Sequence, residues 1–580
     1  MLEVYMSFLK DYFVKYRGSI FLGQFFKLIE AVLELLIPLV MADLIDRGVA
    51  MNNRGLIFSR AGLMVLLAFV GICCALVCQV VATKVSVRFG TQLRHDVFAH
   101  INKLSPQDLD DIGTASLVTR MTGDTNSLQE GLAMLIRLVV RAPFLAIGSV
   151  VMAILLDVHL SVVFLITTPL IVVSMFAVLR LTAPRFSKLQ ARLDDLGRVV
   201  RETLSGTRVI RAFSRERDET RRFQSAAQEY TDDALKTGRL SALLSPVTSV
   251  IMNLGILGVL LLGGDRVNTG EMEVGIVIAF IEYLAQILLQ TAVVANLVML
   301  YTRAYASAQR VGQLRDMHPR VKAVRWVNQN LPDSQDAVRF QHVSIRYPDG
   351  KQALTDISFT LKKGETLGII GGTGSGKSSV ASLLLRFYDA SSGEIDILGE
   401  DIKRIPLKTL REKVALVPQQ AALLKGTIRS NLSLGSDLVT ERMIQKALRT
   451  AQAEFVESYP EGLDYAVEEN GRNLSGGQRQ RLTIARALLR GADILILDDA
   501  FSALDFVTES ALRRELAKTR GEAAYIYISQ RVASIRHADH ILVLDEGRMA
   551  GYGTHEQLLK ENPIYREIFL SQQQEGGETA

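Results

Sequence analysis

Two stretches, AGLMVLLAFVGICCALVCQVVA and LSVVFLITTPLIVVSMFAVL, contain no charged residue at all. A hydrocarbon core about 30 Å thick takes about 20 helical residues to cross, so each stretch can span a membrane. Inside such a core no water is present to satisfy backbone N–H and C=O groups, and the helix satisfies them within one segment. The first 300 residues hold six runs of this kind, at about 18–43, 58–83, 134–157, 160–182, 241–264 and 274–300. This is the composition of a membrane domain of six long helices.

The links between the runs alternate in length. Those after the first, third and fifth runs are short, whereas those after the second and fourth reach about 50 or 60 residues. The long ones are rich in arginine, as in LRHDVFAHINK and GRVVRETLSGTRVIRAFSRERDETRRF. The positive-inside tendency places these links and both termini in the cytoplasm, giving a multi-pass protein of the inner (plasma) membrane in contact with lipid. The opening MLEVYMSFLKDYFVKYRGS is too polar for a cleavable signal, so the first run is expected to act as its own membrane signal. The net charge of +5 follows from this topology, and no nucleic-acid partner is expected. Cys73, Cys74 and Cys78 all fall inside the second run with no histidine nearby, and read as small apolar side chains.

Beyond residue 317 the apolar runs stop. Residues 318–336 read as a polar linker, 337–572 as an α/β domain and 573–580 as a disordered tail, after a membrane domain of 1–317. In TLGIIGGTGSGKSSVASLLLRF the pattern G-x-x-x-x-G-K-[ST] runs from Gly371 to Ser378, after an aliphatic strand and opening a helix. Gly371, Gly372, Thr373, Gly374, Ser375, Gly376, Lys377, Ser378 and Ser379 are therefore candidate nucleotide-binding residues. The glycines let backbone N–H groups turn toward phosphate oxygens at a helix N-terminus. Lys377 would bridge the β- and γ-phosphates, and the Ser378 hydroxyl would ligate Mg²⁺. Asp498, ending the aliphatic strand ILILD, would hold the same Mg²⁺.

Between these two halves lies NLSGGQRQRLTIARALL, in which Leu474 to Gln478 match the signature of ATP-binding cassette proteins. Over nearly its full length the chain resembles an ABC transporter of the exporter type, a half-transporter with six spans and then one P-loop ATPase domain. The resemblance implies ATP and Mg²⁺ as cofactors and an ATPase activity coupled to translocation. It assigns Tyr347 in IRYPDG to stacking on adenine, and Gln419 in LVPQQAALLKGTI to sensing Mg²⁺ and the γ-phosphate. It assigns SALD, ending at Asp505, to a loop that reaches the partner subunit. Ser475, Gly476, Gly477 and Gln478 would form an anion site at a helix N-terminus, facing the phosphate loop of a second chain. GTASLVTRMTGDTNSL and GTRVIRAFSRERDETRRF resemble the segments of the two long links that carry coupling helices.

Two positions depart from the family pattern. Asp499 stands where the family has a catalytic glutamate, and its carboxylate is one methylene, about 1 Å, further back, a misplacement that can cost about a hundredfold in rate. Gln530 stands where the family has a histidine, and an amide cannot carry positive charge. Together they imply a site that binds ATP and hydrolyses it poorly. The chain thus resembles the degenerate-site subunit of heterodimeric multidrug exporters, with the main hydrolysis at a composite site completed by a partner chain that keeps Glu and His. The expected function is ATP-driven export of amphipathic compounds (drug, lipid or peptide). A homodimeric exporter and an ATP-sensing regulatory membrane subunit are the alternatives. Within the spans, Glu30 and Glu34, Arg137 and Arg141, and Glu282 with Gln286 and Gln290 either lie near the membrane ends, pair with one another or line a polar cavity.

Overall fold

The computed structural model describes residues 2–322, 332, 334–347, 350–434 and 439–577, so part of the expected linker and residues 578–580 of the expected tail lie outside the described residues. The chain forms two compact units. One holds the chain up to Asn102 together with Ala115–Met317, and the other holds Lys103–Thr114 together with the chain from His318.

The first unit is wholly helical. Its helix Arg54–Ile101 is 48 residues long, about 72 Å at 1.5 Å per residue, more than twice a hydrocarbon core. The long links are thus largely continuations of the spans themselves. Among the described residues five helical segments are long and apolar enough to cross a membrane, namely Arg54–Ile101, Thr114–Leu156, Val162–Ser205, Glu216–Asn268 and Val274–Asp316. The helix Leu2–Asp43 has the length for the sixth span, but Lys27, Glu30 and Glu34 interrupt its apolar run.

Those charges are compensated. Lys27 reaches Glu30 at 2.6 Å, and Arg141 lies 2.6 Å from Glu34 and 3.6 Å from Glu30. Two acids and two bases cancel, which is what allows such residues to stay in a low-dielectric span. Arg137 donates to Thr83 Oγ1 at 2.9 Å, and Gln286 Oε1 accepts from Ser149 at 2.9 Å. Gln290 is fully buried with neither amide atom bonded. The mutual-pair reading of the sequence thus holds for Glu30, Glu34 and Arg141. Small residues bring the helices close. A Cβ on Gly275 would sit 2.4 Å from the Ala42 carbonyl, and there the Gly275 N–H donates to Asp46 at 2.7 Å. Around Ala31, Leu145, Phe164, Phe280 and Tyr283 the helices share one apolar core. Outward, Leu155, Leu165 and Phe69 stay exposed, as lipid-facing side chains should. Cys74 and Cys78 are buried and Cys73 is exposed.

The second unit is α/β. Its strands are β1 (Asp336–Arg346), β2 (Gln352–Lys362), β3 (Thr366–Ile370), β4 (Ser392–Ile397), β5 (Glu400–Asp401), β6 (Val414–Val417), β7 (Gly426–Thr427), β8 (Ala466–Val467), β9 (Ile494–Asp498), β10 (Ala524–Ile528), β11 (His540–Asp545) and β12 (Arg548–Gly553). One sheet has the order β2-β1-β4-β5, a second β12-β11-β3-β10-β9-β6, and β7 pairs with β8. In the six-stranded sheet β11, β3, β10, β9 and β6 are parallel, and their buried aliphatic runs follow from coverage on both faces. The final helix runs Pro563–Gly577, so residues 573–577 are helical where the composition suggests a disordered tail.

The charge cluster makes a prediction. Arg141→Leu leaves Glu34 unpaired in a span and is expected to cost about 3–5 kcal/mol, read as a lower thermal midpoint of the purified chain in detergent. Adding Glu34→Gln should recover most of that loss. A double variant as unstable as the single one refutes the pairing.

Candidate functional site

Four neighbouring strands end at one edge of the six-stranded sheet. After β3 comes the phosphate loop, after β10 Ser529 and Gln530, at the end of β9 Asp498 and Asp499, and after β6 Gln419. Ligands of open parallel sheets bind at this carboxyl edge. A cavity of about 270 Å³ opens here, lined by Tyr347, Thr373, Gly374, Gly376, Lys377, Ser378, Ser379, Gln419, Asp498, Asp499 and Gln530. Residues read separately along more than 180 positions are therefore brought together.

The loop needs its glycines. Gly376 has φ +96°, and a Cβ there would lie 2.5 Å from the Ala353 carbonyl. A Cβ on Gly371 would meet the Leu544 carbonyl at 2.1 Å. Inside the loop the Lys377 ammonium donates to the carbonyls of Gly371 at 2.9 Å and Gly372 at 2.6 Å. Burial lowers its pKa, against the pull of Asp498 and Asp499. Asp498 is shifted the other way, raised by burial while a hydrogen bond from Ser378 opposes the shift. Ser378, Gln419 and Asp498 supply oxygen donors to one cavity, a set that suits Mg²⁺, which keeps waters and phosphate oxygens as further ligands. Among the described residues no group of three His, Cys, Asp or Glu could hold a metal.

Asp499 is pinned at its backbone. Its φ is +47°, its N–H donates to the Ile528 carbonyl at 2.8 Å, and its carbonyl accepts from Ser502 Oγ at 2.8 Å. Its carboxylate accepts from Gln419 Nε2 at 3.4 Å. Gln530 is exposed, and its main chain is held by Gln572. The Gln572 amide donates to the Gln530 carbonyl at 2.7 Å and accepts from Val532 N–H at 2.8 Å.

Tyr347 stands at the other end of the cavity. Its hydroxyl shares a 3.0 Å hydrogen bond with Ser379 Oγ, and its ring meets that of Tyr388 edge to face at 4.9 Å. Ser475, Gly476, Gly477 and Gln478 lie outside this cavity. They open the helix Gly476–Leu489 through a closed capping box. Gln478 N–H donates to Ser475 Oγ at 3.2 Å, and Ser475 N–H donates to Gln478 Oε1 at 2.9 Å. The first glycine N–H groups are left facing outward from a helix N-terminus, a geometry suited to an anion. Three contributors escape the sequence reading. Lys351 lines the cavity, Gln572 holds the Gln530 turn, and Tyr388 backs Tyr347. Only Tyr388 leaves a trace in the sequence, as an aromatic just past the phosphate-loop helix.

Residues 20–291 match the ABC transporter transmembrane region, and residues 354–502 match the ABC transporter family. An uncharacterized ABC transporter ATP-binding protein of Mycobacterium tuberculosis is 33% identical over 574 residues, 98% of each chain. A multidrug efflux ATP-binding/permease protein of the same species is 31% identical over 97% of this chain and 47% of its own length. Among solved structures, a bacterial Atm1-family ABC exporter with ATP bound aligns with a TM-score of 0.80 and 26% identity, over 96% of this chain and 99% of that one.

Gly376→Ala should distort the loop. Forcing a side chain into this backbone costs on the order of 1–3 kcal/mol, so affinity for a fluorescent ATP analogue should fall about tenfold or more. Unchanged affinity in a titration of the purified chain contradicts the geometry described.

Proposed function

The chain belongs to the ABC transporter family as an exporter-type half-transporter, an ATPase coupled to transport, and on that premise we propose that it is the slowly hydrolysing half of a heterodimeric exporter. One observation carries the reading. Asp499 directly follows β9, where a longer acid would aim at an attacking water, and its backbone is bonded on both sides. The main chain therefore cannot advance to make up the missing methylene, and a displacement of about 1 Å costs about a hundredfold in rate. Gln530 adds to this, because a neutral amide stabilises developing phosphate charge less than a cation would.

The binding elements support retention of ATP. Loop N–H groups from Gly371 to Gly376 and the Lys377 ammonium hold phosphates. Ser378, Asp498 and Gln419 hold Mg²⁺, which neutralises phosphate charge when bound. Tyr347 stacks on adenine. Asp499 and Gln419 orient water, weakly. The capped signature helix serves a partner's phosphate loop, so the partner keeps its own catalytic Glu and His, and productive hydrolysis occurs at that second composite site. The cassette and both termini face the cytoplasm from the inner (plasma) membrane, as the arginine-rich links favour. The cargo is an amphipathic, drug-like compound. Glu282, which has no ion pair among the described residues, supports a cationic one, and the resemblance to a multidrug efflux protein supports a drug-like one.

The experiment is ATP turnover by the purified full chain without a partner. Wild type should bind ATP and turn over slowly, and Asp499→Glu with Gln530→His should raise the rate by about ten- to a hundredfold. Fast turnover by wild type, abolished by Asp499→Asn, would instead establish an active homodimer.

A further inference from the structure

The helix Pro106–Ile112 comes from the first long link yet belongs to the same compact unit as the nucleotide-binding fold. It lies just before the segment Gly113–Leu128, where the resemblance places a coupling segment. Its N-terminus is built around Asp108, which is 1% exposed. That carboxylate accepts from Ser105 N–H at 3.0 Å, from Ser105 Oγ at 2.5 Å and from Arg320 N–H at 3.3 Å. The Arg320 guanidinium also reaches Asp111 at 2.6 Å. One side of the helix is therefore fastened to the chain that follows the last span.

The other side is fastened to the nucleotide cavity. Tyr388 Oη donates to Asp110 Oδ2 at 2.5 Å, and the Tyr388 ring meets the Tyr347 ring edge to face at 4.9 Å and 90°. Tyr347 lines the cavity and bonds to Ser379 on the phosphate-loop helix. The Tyr388 backbone is not free to drift. Two residues earlier Arg386 is 3% exposed, with φ +49°, and its guanidinium bonds Asp389 at 2.8 Å and the Lys403 carbonyl at 3.3 Å. Burial and the Asp110 carboxylate raise the Tyr388 pKa far above neutrality, so its hydroxyl remains a donor. A ring pressed onto Tyr347 from the cavity side thus has a stiff, short route to Asp110, through one aromatic contact and one charge-assisted hydrogen bond.

We propose that Tyr388 is a positioning residue that converts occupancy of the Tyr347 end of the cavity into a set of the helix Pro106–Ile112, with Asp110 as its anchor. The inference rests on the reading of the cavity as an ATP site with adenine against Tyr347. It separates two signals within one nucleotide. The base end addresses the first coupling segment, and the phosphate end addresses Asp498, Asp499 and Gln530. The chemistry of hydrolysis does not pass through Tyr388, so binding and coupling are separable by mutation.

Hydrogen exchange on the full-length chain in lipid nanodiscs tests this, with amides of 103–114 as the reporter. Saturating Mg–ATP should slow their exchange about fivefold or more, the low end of common coupling strengths. Tyr388→Phe, which keeps the ring and loses the hydroxyl, should abolish that response while affinity for a fluorescent ATP analogue stays within about twofold. Asp110→Ala should do the same, and Asp110→Asn, which keeps an acceptor oxygen, should retain most of the response. Magnesium tripolyphosphate, which has no base, should protect 371–378 and leave 103–114 unchanged. The proposal is overturned if Tyr388→Phe responds to ATP like wild type, if tripolyphosphate alone protects the helix, or if the response disappears only together with ATP binding. A wild-type chain that binds no ATP overturns the functional reading itself, and this inference with it.

Discussion

The parallel ladder of β3, β10, β9 and β6 is the constraint on which the site depends. Ile528 pairs with both Ile369 and Asp498, and Val417 pairs with Leu497. Because the strands run the same way, each ends at the same edge and hands its next residues to one cavity. A slip of one residue in β9 would flip every side chain of the strand to the other face and move one of Asp498 and Asp499 into the place of the other. The register therefore decides which acid sits beside Ser378 and which beside Gln419.

In the helical unit the governing term is the cost of charge in a low-dielectric span. Lys27, Glu30, Glu34 and Arg141 are tolerable because they neutralise one another, and this network is part of what joins two helices far apart in sequence. Among the described residues Gln290, buried with its amide unbonded, and Glu282, without an ion pair, have no such compensation.

The fold was legible where its signals are local. Six apolar runs, a glycine loop between a strand and a helix, and a signature motif opening a helix at Ser475 each depend on neighbours within a few turns. The misses have a common cause. Tyr388 and Asp110 are 278 positions apart, and Gln572 acts on a turn 42 residues earlier. No periodicity encodes such partners. The extension of the spans into long helices also escaped, because a polar amphipathic stretch reads as a link until its continuity with an apolar one is visible.

From the amino-acid sequence alone came the family, the two-part architecture, the nucleotide motifs and the two unusual residues at the hydrolytic end, since each of these is written in residue type and short spacing. Only the tertiary structure decided that the Asp499 main chain is hydrogen-bonded at both its N–H and its carbonyl. Only there does a helix from the first link join the nucleotide-binding unit. It also decided that the charges of the first span are paired. Each of these depends on side chains meeting across long sequence separations, where burial and hydrogen-bond geometry set the outcome and sequence pattern carries no signal.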